Sequence, residues 1–323
     1  MPSHPHDQLF RRIFSNPVHA IAELRTLLAP ELLAALDLTR LEIVPGASYV
    51  NEELADREVD LLYEVPLRES AEPALVYVLL EHQSTVDPRM PARLLVYMAR
   101  IWDHWMRANP SGKLPLIVPA VLHHSRSGWT AGRRLTECMV GSAEVRRALG
   151  GSLLDFEFFL DDLTQSTERE LHERAQMTAV GRLALSVLRL GRSGEPADID
   201  RWARLLLETL KEPGGLRAFK TVLRYLADVR DDGDDFIDVL VRATDDEEVE
   251  AIAMTYRERL IEQGRKKGHD EGARRLLAKQ LRLKFGALSE PTEARLAEAS
   301  LDELETWASR VLTAETIDTV FES

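Results

Sequence analysis

Two acids and an amide, Asp60, Glu81 and Gln83, are the residues of this sequence best suited to chemistry. We expect Asp60 and Glu81 to lie opposite each other on antiparallel strands, where the Cβ atoms of paired residues are roughly 5 Å apart. Two carboxylates at that distance repel each other, and a divalent cation between them would relieve the repulsion. Gln83 is expected on the same face as Glu81. Acids at strand ends are also commonly solvated, so the spacing alone leaves a solvated pair and a metal site open.

A predicted β-hairpin positions these residues. The segments 59–65 (VDLLYEV) and 74–83 (ALVYVLLEHQ) are rich in Val, Leu and Tyr, and the polar residues 68–73 (RESAEP) separate them. With the turn centred on that polar segment, the numbers of paired residues add to 141, which places Asp60 opposite Glu81. A slip of one residue would turn one of the two acids to the opposite face.

The surroundings of these residues favour a buried strand end. Glu81 follows six apolar residues, 75–80, which is typical of a central strand. A carboxylate at the tip of such a strand is usually stabilised by a partner or an ion. His123 and His124 end a further predicted strand, 114–123. They are either metal ligands or, respectively, a packing residue and a loop cap.

Cysteine usage and hydropathy indicate the compartment. The single cysteine, Cys138, excludes a disulfide framework and a cysteine-based zinc site, and it suits a reducing environment. The opening residues lack the apolar segment of a signal peptide, and no apolar run approaches the roughly 20 residues that span a bilayer. We therefore expect a soluble cytoplasmic protein with no membrane partner.

The charge of the chain is unevenly distributed. The net charge is −13, which by itself argues against a nucleic-acid partner. Residues 1–83 carry a net charge of −8, however, and residues 84–147, directly after the candidate metal site, carry +6. In the C-terminal part, residues 257–287 carry +6 and residues 288–323 carry −7. The basic segment after the candidate site is where an anionic polymer would bind.

An amphipathic helix is predicted at 90–107, and polar residues spaced by three and four follow its length opposite the apolar side. They are Arg93, Tyr97, Arg100, His104 and Arg107. Such a stripe can lie along a phosphate backbone, with the aromatic side chains available for sugar or base contacts. An ordinary solvated face is the alternative.

The order of the elements predicts an α/β domain at residues 1–165, a helical region at 166–260 and a helical tail module at 261–323. Gly264, Gly268 and Gly272 recur every fourth residue in a segment crowded with Arg and Lys. They indicate either close helix packing or, as we prefer, a flexible joint before the tail. The opposite charges of the two halves of the tail suggest pairing within or between chains, and hence a homo-oligomer.

Several segments together resemble the Rpn family of recombination-promoting nucleases, which are also described as transposase-like. The residues are 57–63 (REVDLLY), 81–84 (EHQS) after an apolar strand, 90–94 (MPARL) and, near the start, His6-Asp7. The similarity covers most of residues 1–270. The EHQS segment with an upstream Asp is the most specific part of the match.

The resemblance implies a restriction-endonuclease-like, PD-(D/E)XK fold, in which a mixed sheet is flanked by helices and a hairpin carries the acids. Asp60 then fills the Asp position and Glu81 the second acidic position, both as metal ligands. Gln83 stands where lysine is usual; it can orient a water but brings no positive charge. Asp7 or Glu23, on N-terminal helices, is a candidate for an additional acid.

These observations lead to two hypotheses on function. The first is a DNA endonuclease that uses Mg²⁺ or another divalent cation, with catalytic residues Asp60, Glu81 and Gln83. Arg93, Tyr97, Arg100 and Arg107 would then bind DNA. The second is a DNA-binding or oligomeric assembly protein whose nuclease site is degenerate, which the glutamine and the overall acidity favour.

Overall fold

The computed structural model describes residues 5–44, 61–68, 75–83, 85–125, 127–191 and 194–321, with the backbone alone for 75–83, 259–260, 263, 266–267 and 298. The chain divides into two compact units, residues 1–249 (unit 1) and 250–323 (unit 2). The fold is mixed α/β.

Within the described residues of unit 1, five strands form one mixed sheet in chain order. They are β1 (Glu42–Ile43), β2 (Leu61–Pro66), β3 (Leu75–Gln83), β4 (Leu116–His123) and β5 (Phe159–Asp162). Strand β2 runs antiparallel to both of its neighbours, β1 and β3, whereas β3, β4 and β5 run parallel to one another. The C-terminal ends of the three parallel strands therefore meet at one edge of the sheet.

The β2–β3 hairpin has the predicted register. Leu61 pairs with Leu80 and Pro66 pairs with Leu75, and the numbers of each pair add to 141. The prediction is confirmed over residues 61–66. Asp60 lies outside the described residues.

Helices make up the rest of unit 1. They are α1 (Pro5–Phe14), α2 (Pro17–Leu27), α3 (Pro30–Ala35), α4 (Met90–Ala108), α5 (Ala143–Leu149), α6 (Glu168–His172), α7 (Ala179–Leu190), α8 (Ile199–Lys211), α9 (Gly215–Val229) and α10 (Gly233–Arg242). Short segments at 212–214 and 230–232 separate α8, α9 and α10; the first contains Pro213 and Gly214, and the second contains Asp231 and Asp232.

One face of the sheet packs against α4. Leu94 and Ile101 of the helix form a buried cluster with Leu62 of β2, Val121 of β4 and Phe158, next to β5. Their spacing of seven residues puts the two helix side chains on one side of the helix, so one apolar stripe covers the sheet.

The opposite face lies against the N-terminal helices. The Tyr63 hydroxyl donates to the carbonyl oxygen of Phe14 at 2.8 Å, and α2 contacts β5. Helix α1 also packs on α7 and α9, where His6 Nδ1 and the Tyr225 hydroxyl are 2.9 Å apart. The sheet and the helices after residue 165 therefore share unit 1, and the domain boundary expected at 165 falls inside it.

Strand β5 begins later than expected. The sequence predicts a strand at 153–160, whereas β5 spans Phe159–Asp162. The residues before it pair with a loop instead: Leu135 N donates to Phe156 O at 3.1 Å, and Arg134 forms an isolated bridge with Glu157. Backbone bonding to that loop replaces bonding to the sheet.

Unit 2 has its own apolar core. Its helices are α11 (Glu247–Phe285), which starts in unit 1, α12 (Glu290–Glu298), α13 (Leu301–Arg310) and α14 (Ile317–Phe321). Leu277, Leu281, Leu304 and Trp307 are among its buried residues. The expected joint at the three glycines is wrong, because α11 continues through them without a break. No helix in the described part of the chain combines the length and apolarity needed to cross a bilayer.

Candidate active site at the ends of the parallel strands

The last residues of the three parallel strands form one row across the sheet edge. Gln83 pairs with His123, and His123 pairs with Asp162. Two residues earlier in the strands, Glu81 pairs with Val121. Residues paired across a ladder share a face, so positions 81 and 83 belong to the face that Val121 presents to α4.

The predicted catalytic residues are described only in part. Asp60 lies outside the described residues, and Glu81 and Gln83 are described by their backbone and register. Among the side chains that are described, no group of three His, Cys, Asp or Glu residues is placed to hold a metal ion. The metal site at Asp60 and Glu81 therefore stays a prediction.

His123 is fully buried and makes packing contacts at the sheet edge. Its Nε2 lies 2.7 Å from Ser125 Oγ, and its ring meets Trp129 edge-on at 5.1 Å between centroids. These contacts agree with the packing interpretation of this histidine.

Asp162 organises the loop beside His123. Its carboxylate accepts hydrogen bonds from Trp129 N (2.8 Å), Thr164 N (3.1 Å) and Thr164 Oγ1 (2.8 Å). Burial acts to raise the pKa of Asp162, but these hydrogen bonds outweigh it and hold the pKa below its usual value. Gly128 permits the close approach: its φ is +73°, and a Cβ there would lie 2.7 Å from Thr164 Oγ1.

A buried acid pair lies on the other face of the sheet. Arg174 binds Asp161 through two bonds, Nη1 to Oδ2 at 2.6 Å and Nη2 to Oδ1 at 3.0 Å. Glu23, on α2, is fully buried nearby. Its burial, and secondly the Asp161 carboxylate, raise its pKa well above the usual value, while Arg174 opposes this. Asp161 precedes Asp162 by one residue and so faces away from the row of positions 81 and 83.

Of the two N-terminal acids considered, Glu23 is thus placed with Asp161, away from the face of position 81. Asp7 is half-buried on α1, and its role as an additional acid stays a proposal. Sequence reasoning did not single out Asp161, Asp162 or Arg174. The adjacent aspartates at a strand end were the available signal, but their partners lie far away in the sequence.

The prediction that all five polar residues of α4 lie opposite its apolar side is wrong for Tyr97. Tyr97 is 1% exposed and belongs to the buried cluster, because it lies three residues after Leu94 and four before Ile101. Its hydroxyl accepts a hydrogen bond from Arg93 Nε at 3.1 Å. A nucleic-acid contact by Tyr97 does not fit this burial.

The other stripe residues are accessible to different degrees. Arg93 and Arg100 are half-buried, and His104 and Arg107 are exposed. Arg107 forms a surface ion pair with Asp103 at 2.7 Å. The role of the arginines in nucleic-acid binding stays a prediction.

Comparison with known proteins places the chain in a family. A family model described as "Putative transposase, YhgA-like" matches residues 4–211. The chain belongs to this family. The resemblance to Rpn proteins is confirmed by curated relatives of that name. No solved structure shows significant similarity to the chain.

Three relatives illustrate the similarity. Recombination-promoting nuclease RpnD of Escherichia coli O157:H7 is 33% identical over 126 residues, which are 39% of this chain and 47% of the relative. RpnC of Escherichia coli K12 is 28% identical over 176 residues, 54% of this chain and 55% of the relative. The "putative inactive recombination-promoting nuclease-like protein YjiP" of the same strain is 36% identical over 95 residues, 29% of this chain and 89% of the relative. The chain spans about half the length of RpnD and RpnC.

Proposed function

We propose that this protein is a metal-dependent DNA endonuclease with a PD-(D/E)XK-type core. The observation that carries the proposal is the register of the β2–β3 hairpin. The described register runs from Leu61 with Leu80 to Pro66 with Leu75. Extended by one residue, it would place Asp60 opposite Glu81, as the hypothesis requires. Curated relatives named recombination-promoting nucleases support a nuclease role in recombination.

The two predicted ligands have the chemistry that a hard cation prefers. Asp60 and Glu81 would offer carboxylate oxygens, and Mg²⁺ typically takes one or two carboxylates and keeps several waters. The neighbouring Asp162 and His123 are engaged with Trp129, Thr164 and Ser125, so they are not counted as ligands. When bound, the ion would acidify an attacking water and offset charge on the phosphate.

The other residues of the chain have distinct tasks in this proposal. Gln83 orients the attacking water through its side-chain amide. Arg93, Arg100 and Arg107 lie on α4, which covers the face of position 81, and they bind the phosphate backbone of DNA. Asp7 remains the candidate for an additional acid.

The fold also supports the proposal. A mixed sheet with helices on both faces and an antiparallel hairpin agrees with the arrangement that the resemblance implies.

Plasmid cleavage tests the proposal. The wild-type chain should nick or linearise plasmid DNA in Mg²⁺ or Mn²⁺, and not in EDTA. Asp60→Ala and Glu81→Ala should abolish cleavage while Glu31→Ala, exposed on α3, leaves it unchanged. Full cleavage by the Asp60 variant would rule out the assignment.

A DNA-binding protein with a degenerate site is the second candidate. Gln83 brings no positive charge, and the relative YjiP carries the word "inactive" in its name. This candidate predicts salt-dependent DNA binding with no cleavage in any divalent ion. The same plasmid assay, run beside a binding assay, separates the two functions.

We also propose that unit 2 assembles copies of the chain. The basic segment 257–287 and the acidic segment 288–323 would provide complementary charges for contacts between chains, in addition to contacts within the chain such as Arg282 with Glu293 at 2.7 Å. Light scattering should give a molar mass that corresponds to fewer chains per assembly for a chain that ends before Thr255 than for the full chain. An unchanged number of chains per assembly would contradict this proposal.

A further inference from the structure

A cavity of about 700 Å³ lies at the C-terminal ends of β4 and β5. Its lining residues include Trp129, Arg133, Arg134, Asp161, Gln165 and Ser166. Its volume is within the roughly 300–1,000 Å³ of ordinary small-ligand sites. Neighbouring strands are about 4.8 Å apart, so Asp162 at this cavity is about two strand spacings from position 83.

The aromatic side of the cavity is held in place. The backbone of Trp129 is fixed by the Asp162 carboxylate at 2.8 Å. Its indole ring makes edge contacts with His123 at 5.1 Å and with Phe158 at 5.5 Å between centroids. A side chain fixed by both backbone and packing loses little freedom on binding, so it is a ready platform for a flat ligand.

Asp161 provides a fixed hydrogen-bond acceptor in the lining of the cavity. Asp161 is gripped by both terminal nitrogens of Arg174, and Arg174 also donates to Ser166 Oγ at 3.1 Å. The two side chains are 11% and 12% exposed. An oriented carboxylate of this kind suits a ligand with N–H donors.

The arginines that line the cavity are already paired with acids. Arg133 bonds Glu157, and Arg134 bonds Asp155 at 2.6 Å. The local charges are therefore largely compensated, which disfavours a phosphate group inside the cavity. A neutral, planar, nitrogen-rich group suits the indole ring of Trp129 and the carboxylate of Asp161 better.

We propose that this cavity receives one nucleobase of the strand that the sheet edge binds, stacked on Trp129 and hydrogen-bonded to Asp161. The inference rests on the proposed nucleic-acid substrate and adds a base-binding subsite beside the predicted metal position. The phosphates of the same strand would remain outside, along α4.

Binding of two octanucleotides in EDTA tests the subsite. One is octadeoxycytidylate, and the other has the same phosphates but an abasic sugar at every position. Wild-type protein should bind the base-bearing strand at least about fivefold more tightly, since stacking one base typically contributes this much or more. Ala131→Trp, which fills the cavity from its rim, should remove most of this preference.

Two further variants complete the design. Ala148→Trp, at an exposed position on α5, should keep the wild-type preference. Gln165→Trp fills the cavity from another lining position, which is exposed, and replaces Ala131→Trp if that variant melts early. An equal affinity of wild type for both strands, or a preference retained in a folded filled variant, would overturn the inference.

The result is independent of cleavage. Metal-dependent cleavage without a base preference would contradict the proposed base-binding subsite and support the proposed nuclease activity. A base preference in a protein that does not cleave plasmid DNA in any divalent ion would contradict the proposed nuclease activity and support the proposed base-binding subsite.

Discussion

Leu61 pairs with Leu80 across the β2–β3 ladder, and this pairing sets the register of the whole hairpin. Side chains alternate between faces along a strand, so a slip of one residue would exchange the side chains of β2 that face α4 with those that face α1. The burial of Leu62 against α4, and of Tyr63 against α1, opposes such a slip. The positions that precede Leu61 and follow Leu80 are those of the two proposed metal ligands.

Gln83→Lys should increase cleavage. A lysine at this position adds a positive charge that stabilises charge developing on the phosphate, and a gain of about tenfold corresponds to about 1.4 kcal/mol of barrier. Initial rates of plasmid nicking in Mg²⁺ measure the effect. Gln83→Met, of similar length and uncharged, should give no gain, and a lysine variant no faster than wild type would contradict the role of this position.

Glu23→Gln should change how stability depends on pH. The raised pKa of Glu23, caused first by burial and then by Asp161, keeps the folded state protonated at pH values where the unfolded state has lost the proton. Wild-type stability therefore falls as pH rises above the unfolded pKa, by up to about 1.4 kcal/mol per pH unit. The glutamine variant cannot ionise and should be the more stable protein at pH 8, with a smaller difference at pH 5, in urea unfolding. If the free energy of unfolding changed with pH in the same way for wild type and Glu23→Gln, the raised pKa of Glu23 would be refuted.

His172→Leu should reduce the loss of folding stability that the protein undergoes as the pH falls. His172 is 3% exposed and meets Trp202 edge-on, and neither ring nitrogen has a hydrogen-bond partner among the described residues. Burial lowers its pKa from 6.5 to about 4. The unfolded state takes up the proton first as pH falls below 6.5, so wild type loses up to about 3 kcal/mol on the way to pH 4. Thermal midpoints across this range measure the loss, and His104→Gln, at an exposed histidine, should match wild type.

Arg174→Met should destabilise unit 1 strongly. It leaves the Asp161 carboxylate beside Glu23 without its cation, and breaking a buried ion pair from one side costs about 3–5 kcal/mol. Arg169→Met is the matched control, because Arg169 is 72% exposed in its pair with Glu173. Exposed pairs contribute about 0–1 kcal/mol. Denaturant unfolding that gave equal losses for the two variants would show that the Asp161 pair is not structurally important.

Local patterns explain which parts of the fold were predictable. The hairpin register follows from two apolar segments and one polar turn, and α4 from its apolar spacing. Tyr97 was misplaced because tyrosine is amphipathic: its ring is buried while its hydroxyl reaches Arg93. The three glycines of α11 predict a joint because each glycine destabilises a helix relative to alanine. This cost does not interrupt α11, which continues through all three.

Long-range contacts explain what the sequence did not indicate. The packing of α1 on α9, through His6 and Tyr225, joins residues 219 positions apart. The cluster of Glu23, Asp161 and Arg174 likewise joins α2 to residues at and after β5. No local periodicity specifies such partners, so the proposed base subsite required the fold.

Binding of Mn²⁺ followed by isothermal titration tests the shared metal site most directly. One ion should bind per wild-type chain, and this binding should be lost in Asp60→Ala and in Glu81→Ala, with no further loss in the double variant. Wild-type binding retained by either folded single variant would contradict it.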